Sequence, residues 1–389
     1  MEQNKPMRSR RQDPAQRNRK LQGQWLTYLL VGVIAVFLIL SLLIPDKAFS
    51  ESENRNLAQF PGGGSLQEGT FLSDLSSWFA DQFPGRDGWM SLDLAFRQLL
   101  GQKESSGVYL GRDHYLMQVP SAPDEAQVQR NLEAINAFGQ AHPELNMVMS
   151  IVPNAVTVHA DKLPDNAPVR DQKADLQSLQ DRLTGARFVD VTDNLLKHKD
   201  QYLYYKTDHH WTSLAAAYAF EAIAPELNIA APDLSSYTVY PVSKGFEGTL
   251  SAKSGSHKTK DQVDIYVPAT DIEYFVTYPD SNEKICSLYN RAALEQKDHY
   301  TVFFGGNYSR VDITTTADTG RSLLLFKDSY ANCFVQFLYP YFDHITMIDP
   351  RYFYDNLDLV LTGEGITDVL FLYNLDTYLS DSSLADVLG

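Results

Sequence analysis

The first strong pattern in the chain is Trp25 to Ile44, an unbroken run of apolar and small residues without a charge, about the length a helix needs to cross a bilayer. Beyond it the pattern breaks into shorter amphipathic pieces. Leu72, Leu75, Trp78 and Phe79 fall at helical spacing and stop before Pro84 and Gly85, which impose a turn; a second short helix is predicted from about Trp89 to Leu100. Val108 to Leu116 reads as a strand, a turn and a strand. Asp124 then caps a helix whose apolar face is Val128, Leu132, Ile135 and Phe138, and Met147 to Val152 is a continuous apolar run of the kind buried parallel strands show. Leu176, Leu179 and Leu183 mark the next helix, Phe188 to Val191 a strand, and Leu214 to Ala224 another helix. Strand patterns return at Ser322 to Phe326, His344 to Ile348 and Asp368 to Tyr373, with a helix predicted from Asn332 to Leu338. This βαβα rhythm predicts an α/β domain with a mostly parallel sheet. Residues from about 234 to 300 interrupt it with short strand patterns around Tyr237 to Val242 and Asp264 to Val267, and with the stretch Gly245 to Leu250. Such an insertion either shapes a pocket or is a plain surface excursion.

The expected organisation is a basic tail at 1–24, a membrane-spanning segment at 25–44, a linker at 45–70 that is mobile or loosely packed, and one domain at 71–389 carrying the insertion. Composition sharpens this. The chain has 389 residues and a formal charge of −16, with Lys5, Arg8, Arg10, Arg11, Arg17, Arg19 and Lys20 against Glu2 and Asp13 in the first twenty positions. Taking those seven basic and two acidic residues from totals of 33 and 49 leaves 26 against 47, a net of −21 for the remainder. A surface that acidic repels nucleic acid and anionic lipid, which excludes nucleic-acid binding. The basic flank keeps the amino terminus cytoplasmic and sends everything after Pro45 outside. A cleaved signal peptide is the alternative, but the apolar run is long and Ile44-Pro45-Asp46-Lys47 lacks a small-x-small cleavage site. Cys286 and Cys333 either pair in that oxidising compartment or, for Cys333 within an apolar pattern, serve as an ordinary buried thiol.

The densest chemistry lies in Tyr204-Tyr205-Lys206-Thr207-Asp208-His209-His210-Trp211-Thr212. Asp208 and His210 are two apart, so in an extended or turn segment their side chains share one side. A carboxylate that fixes a histidine's tautomer and supports its charge is half of a nucleophilic triad. The same residues also read as a metal-ligand fragment, or as a cap in which Thr212 starts an alanine-rich helix. A metal has little support, because His114, His159 and His257 show no His-x-x-x-His or Cys-x-x-Cys spacing. The missing nucleophile is sought beyond strand ends, where ligands bind in parallel sheets. Leu323 to Phe326 is followed by Lys327-Asp328-Ser329-Tyr330, which places Ser329 at a strand-to-helix turn; the residue is either a nucleophile beside amides that stabilise an oxyanion or a helix N-cap.

The Asp-His-His-Trp run, together with Glu53-Asn54-Arg55, Asp81-Gln82-Phe83-Pro84-Gly85-Arg86 and Lys327-Asp328-Ser329-Tyr330, resembles the bacterial DHHW protein family, in the SGNH hydrolase-like branch that contains the alginate O-acetylation proteins. The resemblance implies an SGNH-hydrolase-like α/β/α sandwich and a Ser-His-Asp triad for acyl transfer to or from carbohydrate hydroxyls, with no cofactor and no metal. It implies Ser329 as nucleophile, His210 as general base and Asp208 as the orienting acid. Lys327 stands where the usual hydrolase motif has glycine. The Ser329 amide is the first oxyanion donor; Asn374, just beyond a strand, is a candidate second donor, and Gly306 with Asn307 is the rival. Asp328 and Tyr330 flank the nucleophile, Trp211 packs beneath the motif or stacks on sugar, and His209 has no task in the triad. Arg351 either holds a substrate anion or pairs with Asp349 or Asp355. The functions implied are an anchored extracytoplasmic O-acetyltransferase acting on polysaccharide, with a membrane-bound O-acyltransferase as acyl supplier, a carbohydrate acetylesterase with the same triad, or a non-catalytic polysaccharide-binding or assembly protein.

Overall fold

The computed structural model describes residues 14–50, 55–230 and 233–389. The basic positions at 1–13 and the Glu53-Asn54 part of the motif lie outside the described residues. Two compact units are present, one ending at Asp93 and one starting at Leu94.

In the first unit, helix α1 (Pro14–Leu43) contains the 23-residue apolar segment Leu21–Leu43. At 1.5 Å per residue that segment is long and apolar enough to cross a membrane, a test that a signal sequence also passes. Helix α2 (Phe71–Asp81) buries Trp78, whose indole N–H donates to Asp46 at 2.8 Å. Asp81 accepts from the Ala58 amide at 2.9 Å, and Gln82 donates to the carbonyls of Lys47 and Ala58 at 2.9 Å each. The segment expected as a loosely packed linker is therefore tied at several points, and its Phe49–Ser50 pairs with Arg55–Asn56 as a short antiparallel ribbon.

The second unit is built on a sheet. Its strands, in chain order, are β1 (Val108–Leu110) and β2 (Leu116–Gln118), which form a small separate sheet with Glu104–Ser105, then β3 (Asn146–Val152), β4 (Arg187–Phe188), β5 (Tyr237–Phe246), β6 (Asp261–Pro268), β7 (Tyr274–Tyr278), β8 (Glu283–Ile285), β9 (Arg310–Thr315), β10 (Ser322–Lys327), β11 (His344–Ile348) and β12 (Asp368–Asn374). Among the described residues, eight strands form the central sheet in the order β8-β7-β9-β11-β10-β12-β3-β4. From β11 to β4 every pairing is parallel; β8, β7 and β9 extend the sheet antiparallel. The sheet is thus mixed: β7 and β8 come from the 234–300 insertion, which joins the sheet rather than standing beside it, and its β5 and β6 pair separately.

Side-chain alternation makes the sheet two-faced. Leu323 and Leu325 of β10 and Leu370 and Leu372 of β12 enter one core, while Leu324, Phe326, Val369 and Phe371 enter the other. Helices α3 (Glu125–Ala141) and α4 (Gln172–Arg182) supply Leu132, Ile135, Leu176 and Leu179 to the second core; α5 (Ser213–Ile223) supplies Ala216, Phe220 and Ile223 to the first. This is an α/β sandwich, with helices on both faces of a mixed sheet.

Two elements differ from the sequence reading. The strand predicted at 188–191 stops at Phe188, because the Asp190 carboxylate accepts the Thr192 amide and turns the chain. The helix predicted at 332–338 is instead three successive 3₁₀ turns, Ser329–Cys333, Val335–Phe337 and Tyr339–Tyr341. Gln336 Nε2 donates to the Cys333 carbonyl at 2.6 Å, an acceptor that a regular α-helix gives to the backbone amide four residues on, and Pro340 offers no N–H to continue one. Cys333 is buried and Cys286 exposed, both as free thiols.

Candidate active site

Ser329 lies two residues past the end of β10, after Asp328, and opens the first 3₁₀ turn. Asp328 sets that turn: one carboxylate oxygen accepts the Tyr330 amide at 2.9 Å, the other the amide of Asn374 at the end of β12, also at 2.9 Å. Two neighbouring strand ends are thereby locked together. The Ser329 carbonyl accepts from the Tyr300 hydroxyl at 2.8 Å.

The motif after residue 204 reaches the same sheet edge from the side. Tyr204 and Trp211 form an isolated antiparallel bridge, so residues 205–210 make a tight loop whose side chains converge. His210 Nδ1 lies 2.5 Å from Asp208 Oδ1, and His210 Nε2 lies 2.7 Å from Ser329 Oγ. Asp208 Oδ1 also accepts the His210 amide at 2.9 Å, while Oδ2 accepts the Thr249 amide and hydroxyl at 2.8 and 2.9 Å. Asp208 and His210 are buried, 3% and 6% exposed, so the pair works away from bulk water. An imidazole between a carboxylate and a hydroxyl at these distances is able to take the hydroxyl's proton while the carboxylate steadies the resulting cation.

Burial alone would raise the Asp208 carboxyl; the two adjacent imidazoles and the bonds from His210 and Thr249 outweigh it and hold the group well below the usual carboxylate range, so it is ionised. Burial and the neighbouring His210 lower His209 to about 4, which leaves that ring neutral at pH 7. Burial, reinforced by Asp208, lifts Asp298 to about 6.

Several residues that shape this array carry no motif signal. Tyr300 stacks on His210, ring centroids 3.8 Å apart and planes 14° apart, so a single side chain braces both the imidazole and the Ser329 carbonyl. Asp261 accepts the amides of Lys206 and Thr207 and the Thr207 and Tyr202 hydroxyls, fixing the loop from beneath. Gly248 lies so close that a Cβ there would sit 2.2 Å from the Asp208 Cβ. All three come from long sequence separations, and only the glycine-rich spacing around 245–248 offered a hint.

The remaining predicted residues take these places. Trp211 is fully buried, donates its indole N–H to the Tyr330 carbonyl at 2.9 Å and stacks on Tyr330 and Phe334; it packs and does not face a ligand. Tyr330 donates its hydroxyl to the His209 carbonyl. His209 Nδ1 meets the Thr249 hydroxyl at 2.7 Å. Asn374 caps a short helix and is buried, and its Nδ2 finds no acceptor among the described residues. Asn307 Oδ1 accepts from Lys327 Nζ and Asn332 Nδ2 at 3.2 Å each, and neither Asn307 nor Gly306 hydrogen-bonds Ser329 or His210 among the described residues. Arg351 grips the buried Asp349 through Nε and Nη2 at 2.8 and 2.6 Å.

Among the described residues, two groups bring metal-ligating atoms together: Asp208 with His209 and His210, and Asp312 with His344 and Glu364. In the first, both His210 nitrogens are engaged. The second is bridged by the Arg310 guanidinium, which bonds Asp312 and Glu364 at 2.9 and 2.6 Å, and it starts from the opposite, amino end of β11.

Residues 108–277 match the family model described as SGNH hydrolase-like domain, acetyltransferase AlgX. The chain carries an SGNH hydrolase-like domain. Among solved structures, it is similar to a DHHW family protein from Eubacterium siraeum, at 25% identity over 73% of this chain and 95% of that one, with a TM-score of 0.64. It is similar to Bacillus cereus PatB1 with a sulfonyl adduct, at 18% identity, 71% and 98% coverage and a TM-score of 0.59, and to a further structure of PatB1 at 21%, 70%, 97% and 0.58. No curated protein matches the chain. The DHHW and SGNH resemblance drawn from sequence is borne out. Within the SGNH domain, the matched span holds Asp208 and His210 and ends before Ser329, so what joins the serine to the pair is the fold.

Proposed function

We propose that this chain is a membrane-anchored, extracytoplasmic O-acetyltransferase that modifies a polysaccharide through Ser329, His210 and Asp208. The observation that carries the reading is the continuous hydrogen-bond line from Asp208 Oδ1 through both His210 nitrogens to Ser329 Oγ, at 2.5 and 2.7 Å. Ser329 Oγ attacks the acetyl carbonyl of a donor while its proton passes to His210 Nε2; the donor's leaving group takes that proton, and an acetyl ester on Ser329 remains. A sugar hydroxyl then attacks the ester, gives its proton to His210 Nε2, and the proton returns to Ser329 as the acetylated sugar leaves. Asp208 holds Nδ1 protonated throughout. The Ser329 amide and Asn374 Nδ2 are the oxyanion donors of this reading, since neither has a protein acceptor among the described residues. The first unit's apolar helix is the anchor, with the amino terminus cytoplasmic. Acetyl donors are cytoplasmic, so a membrane-bound O-acyltransferase partner supplies the acyl group across the bilayer.

Mass spectrometry of the full chain after incubation with a chromogenic acetate ester tests this. One acetyl adduct is expected on Ser329, absent in Ser329→Ala and longer-lived in His210→Ala. An oligosaccharide that speeds loss of the adduct and becomes acetylated identifies a transferase; loss to water alone identifies an acetylesterase. An unmodified Ser329 refutes both enzymatic readings and leaves a non-catalytic polysaccharide-binding protein.

A further inference from the structure

A cavity of about 850 Å³ adjoins the motif, with His209 on its wall, in the size range of small-molecule sites. Its chemistry is lopsided. Asp355, Asp376 and Asp381 line it, and none of them enters a salt bridge among the described residues. The lining cation Arg351 already spends Nε and Nη2 on Asp349. Asn374, Asp376 and Asp381 are each more than nine-tenths buried, and each has one polar side-chain atom without a partner among the described residues: Nδ2, Oδ1 and Oδ2. Buried polar groups in folded proteins are nearly always satisfied, so three such atoms on residues that line one cavity are the mark of a site that a ligand or water completes. At the rim Tyr354 is 92% exposed, an aromatic face with little protein upon it.

His209 adds a directed acceptor. The Thr249 hydroxyl has one proton and sits between Asp208 Oδ2 at 2.9 Å and His209 Nδ1 at 2.7 Å. The ionised carboxylate only accepts, so the proton goes to Asp208, and the hydroxyl oxygen must accept from His209 Nδ1–H. The neutral ring then carries its lone pair on Nε2. That ring lies 3.9 Å from the His210 ring, centroid to centroid, and its side chain is 31% exposed.

We infer that this cavity is the acceptor subsite and that it takes a glycan segment without carboxylates, its hydroxyls donating to Asp376, Asp381 and His209 Nε2 and one sugar face lying on Tyr354. Three carboxylates without counter-cations reject a polyuronate by like-charge repulsion in a partly enclosed space, whereas hydroxyl groups donate to them. Apolar C–H faces of an uncharged sugar suit an exposed aromatic ring. The inference rests on the acyl-transfer reading for the name "acceptor", but the cavity's preference is measurable without turnover.

Binding is measured by calorimetry on the full Ser329→Ala chain in detergent micelles, with a neutral β-glucan hexasaccharide and a hexauronate of equal length as probes. The neutral probe is expected to bind at least about tenfold more tightly, a difference of the size one unopposed charge contact produces. Asp376→Asn with Asp381→Asn brings the two affinities within about threefold, and Tyr354→Ala, a change at an exposed side chain, weakens the neutral probe by roughly three- to tenfold. Equal or tighter binding of the uronate, or no binding of either probe, overturns the inference. Acetyl adduct formation on the wild-type chain is scored separately: an adduct without carbohydrate discrimination sinks the subsite alone, and discrimination without an adduct sinks acyl transfer alone.

Discussion

Gly248→Ala tests whether the carboxylate's place, and not merely its presence, governs the chemistry. At φ −88° and ψ −167° the Gly248 backbone is one alanine adopts without strain, so the substitution acts only through the space its methyl fills. That space is taken. An added Cβ would lie 2.2 Å from Asp208 Cβ, 2.3 Å from Oδ2 and 2.6 Å from Cγ. Carbon atoms rest about 3.5 Å apart, so Asp208 or the Gly248 segment has to withdraw by about 1.3 Å. The encroachment reaches Cβ, which no side-chain rotation moves, and the loop backbone has to yield. A shift of that size breaks the 2.5 Å bond to His210 Nδ1 or the 2.8 Å bond from the Thr249 amide. Misplacement by about 1 Å costs on the order of 10²-fold, and loss of the orienting carboxylate about 10⁴-fold; the acetylation rate of Ser329 is expected to fall between these limits. Overpacking is expected to destabilise the fold by about 1–3 kcal/mol. The burst of chromogenic alcohol released from an acetate ester reports the first number, and chemical denaturation the second. A Gly248→Ala protein that retains the wild-type burst rate within about threefold refutes the reasoning, because the carboxylate would then not need the position the glycine allows.

Tyr300→Phe keeps the ring stacked on His210 and removes only the hydroxyl that holds the Ser329 carbonyl; a three- to tenfold slower burst is expected, about the worth of one hydrogen bond, with a much larger loss for Tyr300→Leu. Equal rates for the two variants would show that the ring contact does nothing. Burial drives His159 down to about 4, both ring nitrogens being without a partner among the described residues. Its folded form binds the proton more weakly than the unfolded one, so stability rises with pH between about 4 and 6.5 and is lost as pH falls through that window, by at most about 3 kcal/mol. Denaturation at pH 7 and pH 4.5 is expected to show a smaller difference in His159→Phe than in wild type; an unchanged difference would assign the acid sensitivity elsewhere.

The parts of the site that could be read from the sequence are those whose chemistry is written in residue type and local position. Asp208 and His210 are two apart, and Ser329 lies just beyond an unmistakable apolar strand, so the pair and the serine are each legible; their meeting depends on a loop that reaches the sheet edge from the side, with a helix between it and the preceding strand. The sheet's parallel half was legible for the same reason, as continuous apolar runs separated by helical spacing. Its antiparallel half was not, because β7 and β8 lie in an insertion whose short, partly polar strands show no alternation strong enough to say which sheet they join. Gly248, Thr249, Asp261 and Tyr300 belong to that insertion. Each acts on the loop around residue 208 or on Ser329 from a distance of 29 to 90 positions, a relation fixed by tertiary packing alone. The 3₁₀ turns after Ser329 misled the helical reading because Phe334 and Phe337 do keep a helical spacing, while side-chain hydrogen bonding from Gln336 decides the backbone.

Lys327 in place of the motif glycine raises the question of what holds the turn at Ser329. A glycine is required where φ is positive, yet Asp328 is extended at φ −107° and ψ −167°, and Lys327 pairs in register with Leu372 as an ordinary strand residue. The turn is set instead by the two carboxylate oxygens of Asp328, one on the Tyr330 amide and one on the Asn374 amide. Position 327 is thus free to carry a side chain, and the one present is buried with its ammonium 2.9 Å from Asn332 Oδ1, 3.2 Å from Asn307 Oδ1 and 3.8 Å from Asp349. Burial pushes Lys327 down to about 8, with Asp349 pulling the other way, so the ammonium persists at neutral pH only because these oxygens receive it. Asp349, itself fully buried, in turn requires Lys327 and Arg351 as its counter-charges. The departure from the motif therefore leaves the serine's backbone alone and adds a charge network joining the ends of β10 and β11, with Asn307 Oδ1 among its acceptors.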